Sequence, residues 1–141
     1  PALIETLRRG RRPAFAGDGR GQDFIYVDDA VSATVAAGAT PGARGRAINV
    51  GSGLLTSPQE ILGILNRLLR TDAVPRLARP REEPLSFARA DGGLAGELLG
   101  WAPRVSIVTG LAHAVQFFSE ADQQDEPLLA EVGSREERSD V

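Results

Sequence analysis

Apolar side chains recur at intervals of three and four residues in several segments of the chain, which is the spacing of an amphipathic helix. The clearest stripe follows Ser57, which has the sequence context of a helix N-cap, with Pro58 behind it and Glu60 three residues on. The pattern predicts helices over residues 2–9, 28–37, 58–69, 94–99 and 108–118.

Three short apolar, β-branched or aromatic runs predict strands between these helices. One run ends at Phe15, one spans residues 23–27 (DFIYV) and one spans residues 47–50 (AINV). Asp28 or Asp29 is expected to cap the helix after the second run, because a carboxylate can accept the free amide hydrogens at a helix start.

Two stretches predict irregular structure. Residues 75–84 are rich in arginine and proline and indicate a connection. From Ser119 onward the chain turns polar and acidic, which is typical of disorder. The sequence therefore predicts one folded domain over residues 1–118 and a disordered acidic tail over residues 119–141.

The composition of the 141 residues narrows the classes of function. A net charge of −3 gives no overall field that would attract nucleic acid or an anionic membrane. No apolar run approaches the roughly 20 residues of a membrane span, and the start lacks a signal-peptide pattern. The absence of cysteine and the single histidine, His113, exclude thiolate and multi-histidine metal centres. We therefore expect a cytoplasmic protein with no metal site.

Five motifs occur along the predicted domain in a fixed order. They are GDG at residues 17–19 with DFIYVDD at 23–29, NVGSG at 49–53, RPRE at 79–82, AD at 90–91, and ELLGWAPRVS at 97–106. In order and spacing they resemble the extended short-chain dehydrogenase/reductase family of NAD-dependent epimerases and dehydratases, which modify nucleotide sugars. The resemblance covers residues 1 to about 118.

This resemblance implies an α/β fold of a particular kind: a mostly helical C-terminal substrate-binding domain with a few short strands, taken from a Rossmann-type enzyme. The chain would bind a UDP- or dTDP-sugar, while the missing Rossmann half would bind NAD. No cofactor is expected for this chain alone. A partner chain that supplies the Rossmann half, or a homo-oligomer, is expected, because surfaces that pack on that half would otherwise expose apolar side chains.

The same resemblance marks five candidate substrate-binding residues, which are Ala14, Phe15, Gln22, Arg79 and Glu82. Arg79 matches the arginine that binds the diphosphate, and Glu82 matches the acidic residue that holds the ribose hydroxyls. Ala14 and Phe15 match the strand beside the base, although Phe15 can also be interpreted as a core residue. Gln22 stands where the family has arginine, so one phosphate contact differs.

No catalytic or cofactor-binding residue is assigned. The family's Tyr-x-x-x-Lys pair cannot occur, because the chain contains no lysine, and its one tyrosine, Tyr26, falls in a later motif. Gly38, Gly42 and Gly45 have the spacing of a cofactor loop. They leave a predicted helix and enter a predicted strand, however, whereas a dinucleotide loop leaves a strand and enters a helix.

Two hypotheses stay open at this stage. The chain is the nucleotide-sugar-binding portion of an NAD-dependent sugar epimerase or dehydratase, an isomerase or a lyase. Alternatively, it is a catalytically inactive binding or interaction module, or a truncated remnant of such an enzyme. The residues do not decide between them, nor do they specify the sugar or the nucleotide.

Overall fold

The computed structural model describes residues 2–15, 21–77 and 89–120. Within these ranges the helices are α1 (Ala2–Arg8), α2 (Val27–Ala39), α3 (Pro58–Leu69), α4 (Gly93–Leu99) and α5 (residues 107–120), and a 3-10 turn follows α2 at Pro41–Ala43. The strands are β1 (Ala14–Phe15), β2 (Gln22–Asp23), β3 (Leu55–Thr56) and β4 (Arg76–Leu77). The expected mostly helical α/β fold with short strands is confirmed. Residues 121–141, which hold most of the predicted tail, lie outside the described residues.

The strands form two separate ladders. β1 pairs with β4 in parallel, with Ala14 opposite Arg76, and β2 pairs with β3 antiparallel, with Gln22 opposite Thr56. The strand ending at Phe15 is therefore confirmed. The strands predicted over 23–27 and 47–50 are wrong, since β2 ends at Asp23 and residues 46–50 join no ladder among the described residues. A segment rich in strand-favouring residues forms a strand only where a neighbouring strand can share its backbone hydrogen bonds.

The first hydrophobic core lies between α1 and α3. Its buried members are Ile4, Leu7, Ile61, Leu62 and Leu65. Apolar side chains of α5 and the Phe15 side chain of β1 pack against this cluster. The Arg8 guanidinium also donates a hydrogen bond to the Phe118 carbonyl oxygen at 2.6 Å, which joins α1 to α5. This core therefore supports β1 from behind.

A second, smaller core joins α2 to α4. Ala33, Ala95 and Trp101 are buried there, and the two alanines have side chains small enough for the helices to approach closely. The Trp101 indole N–H donates to the Ser32 hydroxyl at 2.9 Å, so the one polar atom of this large side chain is satisfied.

Helix α2 begins without a side-chain cap. Its N-cap residue is Tyr26, so the expectation that Asp28 or Asp29 caps this helix is wrong. Asp29 is instead only 4% exposed, and its carboxylate accepts hydrogen bonds from the backbone amides of Arg104 at 3.0 Å and Val105 at 2.9 Å. This aspartate fixes the chain just before α5.

Helix α3 begins at Ser57, the N-cap that the sequence predicted, and Ser57 and Glu60 form a capping box there. The Ser57 hydroxyl accepts from the Glu60 amide at 3.2 Å, and the Glu60 carboxylate accepts from the Ser57 amide at 2.7 Å. Because alanine removes this cap, Ser57→Ala is expected to lower the free energy of unfolding by about 1 kcal/mol, measured by denaturant titration. Gln59→Ala, on the exposed surface of the same first turn, is the control; equal stability of both variants would contradict the assignment.

Candidate functional site

A cleft of about 460 Å³ opens between α1 and the β1–β4 ladder. Two residues predicted to contact substrate, Ala14 and Phe15, lie in its wall. The cleft is lined by Ala2, Leu3, Thr6, Arg11, Arg12, Pro13, Ala14, Phe15 and Arg76, and we call it the arginine cleft. Its volume lies within the range of small-molecule sites.

Hydrogen bonds to backbone carbonyl oxygens hold the arginine-bearing walls of this cleft together. Gly10 ends α1 in the left-handed region, at φ 63°, and the Arg11 amide then donates to the Thr6 carbonyl oxygen at 2.9 Å. Across the ladder, the Arg76 amide donates to the Pro13 carbonyl oxygen at 2.8 Å. The Arg12 Nε–H donates to the Val74 carbonyl oxygen at 3.1 Å. Two parts of the chain more than 60 residues apart thus form one rigid edge.

The chemistry of the cleft suits a ligand with an apolar body and an anionic group. Leu3, Pro13 and Phe15 supply apolar surface, whereas three arginines supply positive charge, and no carboxylate lines the cleft among the residues that the structure describes. Within the described residues, the guanidinium groups of Arg11 and Arg76 have neither a hydrogen-bond nor an ion-pair partner. A planar guanidinium binds two phosphate oxygens at once and stays charged at any physiological pH.

A larger hollow of about 680 Å³ lies on the other side of Arg11 and Arg12, between α1 and the end of α3. Its lining includes Asp72, whose carboxylate opposes an anion, and none of the residues predicted to contact substrate. We therefore place the candidate site in the smaller cleft, because the charged residues in the described part of its lining are all arginines.

The Asp23 carboxylate on β2 accepts hydrogen bonds from two other segments of the chain. Its Oδ1 accepts from the Ser52 amide at 2.8 Å and from the Ser52 hydroxyl at 2.6 Å. Its Oδ2 accepts from the amides of Gly53 and Ala90, each at 3.0 Å. Burial raises the pKa of the Asp23 carboxyl, but these hydrogen bonds outweigh that effect and hold the pKa below its ordinary value. One carboxylate thus joins the DFIYVDD, NVGSG and AD motifs.

The glycine at the start of the NVGSG turn is required by close packing. Gly51 is buried, and a Cβ atom built there would clash with the Ala90 Cβ and lie 2.8 Å from Asp23 Oδ2. A residue with a side chain would therefore separate Asp23 from its hydrogen-bond donors. This packing gives the motif a structural role in the described chain.

The predicted substrate-binding residues are only partly brought together. Ala14 and Phe15 line the arginine cleft, and Phe15 also packs on the first core. Contact of either residue with substrate stays a prediction. Gln22 lies in the other ladder, on β2, with its side chain exposed, and it does not line the cleft. Arg79 and Glu82 lie outside the described residues.

Sequence reasoning missed Arg76 and Arg11 as candidate site residues. Arg76 falls inside the stretch predicted to be an irregular connection, yet it forms β4 against β1. Arg11 belongs to a group of arginines at the end of α1 that a sequence alone does not separate from a solvated surface. Only the pairing of β1 with β4, which is non-local, brings Arg76 to the strand that holds Ala14 and Phe15.

The three glycines with cofactor-loop spacing form no such loop. Gly38 lies inside α2 and Gly42 inside the 3-10 turn that follows it. No strand leads into them and no helix starts from them in the described chain, so these residues do not fit a dinucleotide. Among the described residues, no cluster of three potential metal ligands occurs. No helix in the described ranges is long and apolar enough to cross a bilayer.

Comparison with known proteins places the chain among sugar-nucleotide enzymes, although no family model matches it. It is 37% identical over 120 residues to a UDP-glucose 4-epimerase of Mycolicibacterium smegmatis, which covers 84% of this chain and 38% of that protein. It is 30% identical over 132 residues to a dTDP-glucose 4,6-dehydratase of Streptomyces griseus. This match covers 92% of this chain and 40% of that protein.

Solved structures agree with these relatives. A UDP-glucuronic acid 4-epimerase from Bacillus cereus, in complex with UDP-glucuronic acid and NAD, superposes with a TM-score of 0.79 at 27% identity, over 84% of this chain and 38% of that one. The chain spans about two fifths of the length of the relatives that it matches, and the match falls in their carboxyl-terminal part. By sequence and by fold, the chain therefore belongs to the family of nucleotide-sugar epimerases and dehydratases and corresponds to their carboxyl-terminal part.

Proposed function

We propose that the chain is the nucleotide-sugar-binding portion of an NAD-dependent sugar epimerase or dehydratase, and that the nucleotide end of a UDP- or dTDP-sugar occupies the arginine cleft. The observation that carries this proposal is the convergence of Phe15 and three arginines in one cleft. The relatives' names, which include UDP-glucose and dTDP-glucose enzymes, support the same class of ligand.

We match each part of the ligand to a group of the chain. Ala14 and Phe15 flank the flat base, since an aromatic ring and a narrow backbone edge favour stacking. Arg76 and Arg11 bind the diphosphate through their unpaired guanidinium groups. Arg79 and Glu82 follow β4 closely in the chain, and we assign them to the diphosphate and the ribose hydroxyls. Gln22 serves as a neutral hydrogen-bonding group.

NAD enters this proposal only through the part of the relatives that the chain does not match. The solved relatives include complexes with NAD, and that cofactor would accept and return a hydride in the complete enzyme. The residues described here contribute binding and orientation of the nucleotide end. Whether the complete enzyme epimerises or dehydrates its sugar depends on groups outside them.

Calorimetric titration of the chain with UDP-glucose tests the proposal. Arg76→Ala is expected to weaken binding about 10- to 100-fold, because a hydrogen-bonded ionic contact is worth about 1.5–3 kcal/mol. Arg46→Ala removes an exposed arginine that does not line the cleft, and it should leave the affinity unchanged. Equal affinities of the two variants, or no saturable binding by the folded chain, would reject the proposal.

A further inference from the structure

The larger hollow, between α1 and the end of α3, holds no part of the proposed ligand. We call it the α1–α3 hollow, and its volume is about 680 Å³. Arg11, Arg12 and Arg70 line it, together with the acidic residue Asp72. Val74 is also in the lining, and it is 63% exposed. The described lining thus has a net positive charge beside an uncovered apolar side chain.

Arg70 occupies a backbone position that favours glycine. It is the C-cap of α3, with φ 54° and ψ 45°, and it is the one non-glycine residue with a positive φ in the described chain. The Asn66 carbonyl oxygen already accepts from the Arg70 and Thr71 amides, so the guanidinium is not needed to cap it. That guanidinium has neither a hydrogen-bond nor an ion-pair partner within the described ranges. An acidic partner in the hollow would therefore find a charged side chain ready to pair.

Residues 121–141, which we call the acidic segment, have the chemistry that complements this hollow. The segment contains seven acidic and two basic residues, and both basic residues lie in its last seven positions. Its stretch DEPLLAE, at residues 125–131, holds Leu128 and Leu129 between carboxylates and contains no basic residue. Clusters of arginine recognise acidic motifs, and the leucines match the apolar part of the lining.

The acidic segment begins close to the hollow. It follows α5, and the Phe118 carbonyl oxygen of α5 accepts a hydrogen bond from the Arg8 guanidinium of α1 at 2.6 Å. Gly10, which lines the hollow, is two residues beyond Arg8. The eight residues 121–128 can span up to about 26–29 Å when extended. Leu128 is therefore within reach of the hollow.

We propose that the acidic segment docks in the α1–α3 hollow of the same chain. The carboxylates of DEPLLAE pair with Arg12 and Arg70, and its two leucines cover Val74. Asp72 offsets only part of the positive charge of the lining, and carboxylates spaced along a peptide can lie away from it. Docking does not depend on whether the arginine cleft binds a nucleotide.

The tether decides between this segment and an acidic segment of another protein. Exposed charge pairs are individually weak, so a short acidic peptide from solution would bind poorly. A short tether, however, holds the local concentration of the segment in roughly the millimolar range. An intrinsic dissociation constant of about 1 mM then keeps the hollow occupied about half of the time.

A nitroxide spin label at residue 130 tests this docking in the full chain. The chain has no cysteine, so Ala130→Cys provides one specific attachment point. We expect the amide NMR signals of Gly10, Thr71 and Val74 to lose more than about half of their intensity, relative to the sample with the label reduced, because the label lies near them while the segment is docked. About 1 M salt should restore these signals, since it shortens the screening length to about 3 Å.

Substitutions on the surface of the hollow identify the contact. Arg70→Glu reverses one charge of the lining and should restore most of the lost intensity. Arg67→Glu is the matched control, because Arg67 also lies exposed in the last turn of α3 but does not line the hollow. It should leave the signal loss unchanged.

Neutralising the acidic segment tests the same contact without changing any described residue. The variant that neutralises DEPLLAE combines Asp125→Asn, Glu126→Gln and Glu131→Gln, and it should restore the signals as Arg70→Glu does. Equal neutralisation at positions 136, 137 and 140 should have little effect, because arginines at 135 and 138 already offset those carboxylates in part.

Four results would overturn the docking. They are no signal loss in the hollow, a loss that persists in the DEPLLAE variant, a loss centred on Arg76 in the arginine cleft, and a loss that passes between molecules. The last is measured by mixing isotope-labelled chain that carries no nitroxide with nitroxide-labelled chain at natural isotope abundance. Signal loss in that mixture would assign the segment to a second copy of the chain instead.

Discussion

Replacing Asp23 by asparagine is expected to lower the free energy of unfolding by about 3 kcal/mol at neutral pH. Each carboxylate oxygen of Asp23 accepts two hydrogen bonds, and three of the four donors are backbone amides. In either orientation, the amide NH₂ of asparagine faces an N–H donor and leaves it unpaired. Denaturant titration measures the loss. Asp72→Asn, at an exposed loop position, should change stability by less than about 0.5 kcal/mol.

The pH dependence of the same variant provides an independent check. Because the folded-state pKa of Asp23 is lowered, its contribution to stability is complete above the unfolded-state pKa of about 3.9 and is lost as pH falls through the folded-state value. The difference in stability between the unsubstituted chain and Asp23→Asn should therefore shrink as the solution is acidified below about pH 4, through the folded-state pKa of Asp23. A difference that stays constant over that range would show that the charge of Asp23 is irrelevant.

Leu65→Ala is expected to lower the free energy of unfolding by about 3 kcal/mol, and with it the affinity for UDP-glucose. Leu65 is 1% exposed at the centre of the first core, and a leucine-to-alanine change there leaves a cavity. Phe15 packs against this core, so the cleft wall should loosen with it. The measurements are denaturant titration and calorimetry on the same preparations.

Leu68→Ala is the matched control for that substitution. Leu68 lies one turn further along α3 but is 36% exposed, so its truncation should cost less than about 1 kcal/mol and leave nucleotide binding intact. If Leu65→Ala retained full stability, the first core would not be the support of the cleft. If Leu65→Ala lost stability but a folded population bound normally, Phe15 would be independent of the core.

The helices were predictable because their signals are local. The apolar stripe of α3, its Ser57 and Glu60 capping box and the Gly10 stop of α1 each lie within a few residues of the structure they specify. Positions of strands were less predictable, because a strand also depends on a neighbour distant in sequence. Residues 47–50 have strand sequence but no partner in the described chain, whereas β4 forms in an unpromising proline-rich stretch.

In the candidate site, too, local features were more predictable than those that depend on residues distant in the sequence. The resemblance proposed Ala14 and Phe15 as substrate contacts, which stays a prediction, and both residues lie in the cleft wall. It did not locate Arg76, which reaches the cleft only through its pairing opposite Ala14. Nor could spacing show that Asp29 holds Arg104 and Val105, because that contact joins parts of the chain 75 positions apart. The chemical types of the side chains could be identified from the sequence, whereas contacts between residues distant in the chain could not.

Backbone amide NMR of the 14.9 kDa chain during titration with UDP tests the central claim most directly. We predict saturable chemical-shift changes confined to the arginine cleft, with the largest at Arg11, Ala14, Phe15 and Arg76. Changes centred on the 360 Å³ hollow near Phe24 and Ile107 would contradict the placement of the nucleotide. A folded chain whose spectrum does not respond to UDP would contradict nucleotide binding itself.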